Sequence, residues 1–206
     1  MTERLIELVR LPRRAVHVLA DSAPAVFLLL DERAGGILVN TPAFCEARLA
    51  AVAAVVRPSF IFYPSARGAR DVERWRAATG ARTIASAEET PAIAGTIDES
   101  VTGDVRLYGR LDFLMLSGRT RGTCALRVKE PPGLVFFGPA FEHAAPQMLR
   151  PHRDDYSYEN RLIGALGIRD LAFEYAFCDD YVHGSSRIGP GAGKLFSDGL
   201  AAALDA

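Results

Sequence analysis

Apolar residues in this chain fall into short blocks separated by charged, proline-bearing or glycine-bearing segments. Residues 25–30 and 37–40 are β-prone runs separated by charge and Gly35-Gly36, which predicts a hairpin. Thr41 followed by Pro42 has the form of an N-cap and first helical residue, opening a helix to about Val56 that Pro58 stops. Residues 59–63 predict a strand, 69–79 a helix closed by Gly80, and 82–85 a short strand. The polar, proline-interrupted stretch 86–97 predicts a helical turn and a connection. Three strands are expected at 111–116, 123–128 and 134–137, with Pro131-Pro132-Gly133 turning the last pair. Residues 147–157, dense in charge and aromatics, read as a loop. A helix over 158–166 ending at Gly167, a strand over 172–178 and a closing helix over 191–203 complete the chain. Strands grouped in two halves, each followed by helices, imply a layered α/β (α+β) arrangement in which two sheets face each other.

Composition narrows the class without choosing a function. A chain of 206 residues suits one domain, 1–206, with a substantial core. Its 49% hydrophobic and 24% charged fractions are those of an ordinary globular protein. A net charge of -1 supplies no overall drive toward nucleic acid, so no nucleic-acid partner is expected. The apolar runs 25–30 and 49–56 are shorter than the about 20 residues a bilayer span needs. Residues 1–14 mix acids and arginines and lack the apolar stretch of a signal peptide, so a cytoplasmic location without a membrane partner is the expectation. Cys45, Cys124 and Cys178 are far apart and odd in number, the pattern of reduced, buried thiols.

The segment from Ile61 to Trp75, IFYPSARGARDVERW, joins an apolar strand to a helix through a short loop, and in this respect resembles the metallo-β-lactamase superfamily. That family places a T-H-x-H-x-D-H loop here. Laid over it, Tyr63 takes the threonine place, Pro64 and Ala66 the first two histidines, Gly68 the aspartate and Ala69 the last histidine. Further blocks are similar in the same order. The opening Gly35–Pro42 run comes first, then Leu116–Thr123, with Arg119 at the third histidine. Leu134–Phe141 follows, with Pro139 where an aspartate bridges two metals, and then Asp179–Gly184, where His183 alone is retained. The resemblance spans nearly the whole chain and implies a four-layer αββα sandwich. It also implies a degenerate site, because a catalytic zinc needs about three protein ligands and only His183 offers one at these positions. No metal and no other cofactor is therefore expected. Glu142, His143 and His152 with Asp154-Asp155 are the remaining residues from which a different site would be built.

If the family geometry holds, Arg67 and Arg119, with Arg121 and Arg70, surround the space the cations occupy and form a site for a carboxylate or phosphate. The alternative is exposed loop arginines, or ion-pair partners for Asp179 and Asp180. Ser65 near His183, oriented by Asp180, would imitate a hydrolytic triad; a turn serine and a leftover histidine bonded to backbone are the alternatives. Gly189–Lys194 lacks the first glycine and the Ser or Thr of a phosphate loop and more simply frames the last helix, whose N-terminus can attract an anion. Three functions remain open. One is binding of a small, anionic ligand at Arg67, Arg119 and His183, with or without a regulatory role. The second is metal-independent hydrolysis of an ester, thioester or lactone through Ser65 or a His183-activated water. The third is a structural homo-oligomer.

Overall fold

The computed structural model describes residues 4–107, 109, 111–144, 148–152 and 156–206. Strands β1 (Leu5–Leu11), β2 (Arg14–Leu19), β3 (Phe27–Asp31) and β4 (Gly35–Val39) pair antiparallel in sequence order. Helix α1 (Glu46–Val55) then carries the chain to β5 (Pro58–Tyr63), and α2 (Val72–Thr79) to β6 (Arg82–Ser86). With β7 (Glu99–Val101) the sheet reaches seven strands in the order β1-β2-β3-β4-β5-β6-β7, the last three added in parallel. The second sheet contains β8 (Val105–Leu107), β9 (Leu111–Met115), β10 (Cys124–Val128) and β11 (Leu134–Gly138). Strands β12 (Phe141–Ala144) and β13 (Met148–Pro151) form a separate hairpin, and α3 (Tyr158–Ile168) leads to β14 (Tyr175–Cys178) before α4 (Ala192–Leu204). Strand β14 joins β11 in parallel, giving the order β14-β11-β10-β9-β8.

The period-2 alternation of each strand divides its side chains between two layers. Phe27, Leu29, Ile37, Val39 and Phe62 from the first sheet meet Phe113, Leu126, Leu134, Phe136 and Phe177 from the second. Their neighbours in sequence face the other way. Leu28, Leu38, Ile61 and Tyr63 pack with Val52 of α1 and Trp75 of α2. Leu114, Ala125, Val135, Phe137 and Ala176 pack with Ala165 of α3 and Phe196 of α4. The result is an αββα sandwich, as the sequence predicts. No helix among the described residues is long and apolar enough to cross a membrane.

Several boundaries differ from expectation, each for a local reason. Thr41 does not cap α1, which starts five residues later. Its backbone N–H donates to Gly68 O (2.8 Å) and its hydroxyl exchanges hydrogen bonds with Arg70 (2.7 and 3.0 Å), so Thr41 is committed to the 64–70 loop. Helix α2 starts at Val72, not Ala69, because Ala66–Gly68 forms a 3-10 turn and Asp71 takes a left-handed conformation (φ 48). The stretch 147–157 is not all loop, since Leu149 is fully buried and Met148–Pro151 pairs with Phe141–Ala144; Gln147 lies outside the described residues. Helix α3 runs through Gly167 to Ile168. Strand β14 begins only at Tyr175, because the preceding Ala172 carbonyl accepts from Arg127 and Glu174 N–H donates to the 132–133 turn. The β1–β2 hairpin went unpredicted, its first strand being mostly half-exposed and interrupted by Glu7 and Arg10.

Phe136 stacks on Phe177 at 4.8 Å between ring centroids and lies 5.9 Å from Phe27, at the middle of the inter-sheet layer. Phe136→Ala should cost about 3–5 kcal/mol. Urea unfolding followed by the fluorescence of Trp75, the single and fully buried tryptophan, measures this.

Candidate functional site

The carboxyl ends of β5, β9, β11 and β14 are each followed by a turn, and these turns contribute to the lining of a cavity of about 320 Å³. Its lining comprises Pro24, Arg67, Arg70, Arg119, Pro139, Phe141, Glu142, His152, Asp179 and Asp180. Ligands in open α/β sheets commonly bind beyond strand carboxyl ends, and this cavity is lined by three arginines and three carboxylates.

A buried carboxylate fixes its walls. Glu89 is 3% exposed, and its Oε2 accepts from Ala66 N (2.7 Å) in the 64–70 loop. Its Oε1 accepts from Thr120 Oγ1 (2.5 Å) and Gly122 N (3.0 Å) in the turn that carries Arg119. Gly122 has no room for a side chain, since a Cβ would lie 2.3 Å from Ser86 Oγ. A second tie runs through Asn40, whose Nδ2 donates to Ala25 O (2.9 Å) and to Asp179 Oδ1 (2.8 Å).

The positions that resemble metal-ligand sites are filled as well as chemically altered. A Cβ on Gly68 would lie 1.8 Å from Asn40 Oδ1, so no carboxylate fits there. Pro64 packs flat on Gly138, where a Cβ would come within 2.2 Å of the proline ring. Ala66, Ala69 and Pro139 supply no donor, and Arg119 brings a cation. A metal bridged as in the family therefore does not fit these residues.

Arg67, Arg70 and Arg119 line the cavity. Arg121 does not; it is exposed and pairs with Glu88 (3.2 Å). Arg119 Nη1 packs against both ring nitrogens of His152, 2.9 Å from Nε2, and Glu142 Oε2 lies 3.4 Å from that nitrogen. Arg150 donates to Glu142 Oε1 (2.6 Å), and the β12–β13 hairpin brings Glu142 close to His152, two of the residues that the sequence offers for a different site. Asp154 and Asp155 lie outside the described residues.

His183 lies elsewhere. It is exposed, its Nδ1 is 3.1 Å from Tyr181 OH, and it lines a second cavity of about 840 Å³ on the far side of Asp179 and Asp180. Ser65 is fully buried and its Oγ makes no hydrogen bond. Asp180 faces His143, not His183, with Oδ1 3.0 Å from His143 Nδ1. The imagined Ser65–His183–Asp180 relay is thus not assembled, because the chain after β14 carries His183 past the cavity. Asp179 takes the place His183 was expected to fill, and burial pushes its pKa up to about 7 against the opposing pull of Asn40, Arg67 and Arg119. The N-terminus of α4 is occupied from within, since Gly191 N donates to the Glu174 carboxylate (2.8 Å).

Among solved structures, this chain is similar to a metallo-β-lactamase of Cronobacter sakazakii described by a HARLDQ motif. The two are 13% identical with a TM-score of 0.68 over 99% of this chain and 94% of that one. It is also similar to FEZ-1 from Legionella gormanii (12%, 0.66, 100% and 97%) and to BJP-1, a subclass B3 enzyme of Bradyrhizobium japonicum (14%, 0.64, 99% and 94%). The chain has the metallo-β-lactamase fold. No family model matches the sequence, and no curated protein does. Likeness at such low identity carries the metallo-β-lactamase architecture and leaves the chemistry to the residues themselves.

The sequence offers no sign of Glu89, and Asp179 reads there only as an ion-pair partner for the loop arginines. Glu89 sits in a polar stretch that reads as a connection, and only its burial distinguishes it. Glu89→Ala strands three donors at about 1–3 kcal/mol each, so a loss of at least about 3 kcal/mol is expected in chemical unfolding. For Asp179, the unfolded chain releases its proton near about pH 3.9 whereas the folded chain holds it to about 7. Stability therefore falls as pH rises between those values, and the full cost remains above them. Denaturation of parent and Asp179→Asn across pH 4–8 should show the variant gaining on the parent with rising pH through that window.

Proposed function

We propose that this protein is a degenerate metallo-β-lactamase-fold protein that binds a small anionic ligand in the Arg67, Arg70 and Arg119 cavity and is not a metallohydrolase of the family's kind. The observation that carries this reading is the basic wall. The Arg67 and Arg70 side chains make no ion pair with any described residue, yet they face the same cavity as Arg119. Guanidinium groups in such an arrangement offer forked N–H donors to a carboxylate or phosphate. A volume of about 320 Å³ fits a metabolite-sized anion at the lower end of ligand pockets. The acids Asp179 and Asp180, which line the same cavity, favour a ligand that is compact or that carries its own donor toward them.

Against hydrolysis by the family's route stands the donor chemistry already described: Pro64, Ala66, Gly68, Ala69 and Pro139 hold no metal, and Arg119 opposes one. A role in ligand sensing or carriage follows more directly from such a site than turnover does. Calorimetry with inorganic phosphate and with a small dicarboxylate tests the reading. Arg67→Ala and Arg119→Ala should each weaken binding about 10- to 100-fold, corresponding to a lost charge-assisted hydrogen bond of about 1.5–3 kcal/mol. Undiminished affinity in both variants would remove the basis for this function.

A further inference from the structure

Beside the cavity, and sharing Asp180 with its lining, is a second constellation, at residues that match none of the family's ligand positions. His143 on β12, Cys178 at the end of β14 and Asp180 just after it each bring one donor atom within 4.8 Å of the other two. We propose that His143, Cys178 and Asp180 bind a single divalent cation of borderline softness, of which zinc is the type. This does not rest on the anion-binding reading, which depends on other side chains.

Three observations carry it. First, the imidazole is held in a ligand's posture. His143 N donates to Asp180 Oδ2 (2.8 Å) and its Nδ1 lies 3.0 Å from Asp180 Oδ1. The Nδ1–Oδ1 spacing is close to the edge of a zinc tetrahedron, so with the proton on Nε2 the Nδ1 lone pair and the carboxylate oxygen are aimed at one shared point, beside a His143 side chain only 11% exposed. Two acceptors that face each other at this distance repel, and a dication between them relieves the repulsion. Second, the donors are chemically matched. Thiolate, imidazole and carboxylate suit zinc better than magnesium or calcium, which prefer oxygen alone, and three protein ligands leave one position open. Asp180 retains further lone pairs beyond the two it already uses.

Third, the local field is negative. Asp180, Asp179 and Glu142 act electrostatically on the fully buried Cys178. Their carboxylates attract a dication, which takes the sulfur lone pair as the thiol proton leaves to solvent. Donors at about 2.0–2.3 Å from zinc lie roughly 3.5 Å apart, so closure from the present spacing requires modest side-chain rotation. Asp180, with a side chain 41% exposed, provides the path from solvent.

Cobalt(II) titration of the full chain, first stripped of metal, reads the site directly through thiolate-to-cobalt charge-transfer absorption. The expected result is saturation at one equivalent, bleaching by one equivalent of zinc, and loss of the band in Cys178→Ser and His143→Gln. Absence of the band in the folded parent would overturn the site. So would a band that persists unchanged in Cys178→Ser, which would assign the sulfur to Cys45 or Cys124. Circular dichroism and Trp75 fluorescence report whether the buried variants fold. If they do not, Asp180→Asn takes their place, and cobalt affinity at least tenfold weaker supports the site while unchanged affinity refutes it.

Discussion

The Glu89 carboxylate is the constraint on which the candidate site depends. It is taken almost wholly out of water and satisfied by two backbone N–H groups and a hydroxyl from separate segments. One segment follows β5 in the first sheet and the other follows β9 in the second, so a single side chain ties the two halves of the sandwich together at the cavity mouth. Charge-assisted bonds of this kind are directional and strong where water is excluded. Arg67 and Arg119 project from these tied segments, and their shared orientation toward one cavity follows from that anchor.

The positions that resemble metal-ligand sites have a packing of their own. Gly68 yields its volume to Asn40, Pro64 closes on Gly138, and Asn40 in turn reaches Asp179. Guanidinium groups and carboxylates line the same cavity, with Arg67 and Arg119 acting on Asp179 and His152 between Arg119 and Glu142.

Much of the fold was legible in the sequence because the strands are short, nearly continuous apolar runs buried on both faces. Residues 25–30, 37–40, 59–63 and 134–137 are of this kind, and glycine, proline or charged residues mark their ends. The four-layer arrangement itself came from resemblance, since periodicity does not say which sheet faces which. The hairpins β1–β2 and β12–β13 were invisible because their exposed positions carry charge and their pairing is set by tertiary contacts. In the site, Arg67 and Arg119 could be placed from the loops that bear them. His183 could not, because two or three residues of turn decide which side of Asp179 a side chain reaches. Burial of Ser65 and Glu89 has no local signal at all, since a serine or glutamate in a polar stretch reads the same whether it faces solvent or a crowded interior.

The contact between Gly68 and Asn40 couples two positions far apart in the chain. An acid at position 68 would put its first side-chain carbon on top of the Asn40 amide, and shrinking Asn40 to make room breaks its bonds to Ala25 and Asp179. Neither position can therefore be changed alone without loosening the pocket, and redesign of the 64–70 loop has to begin at residue 40.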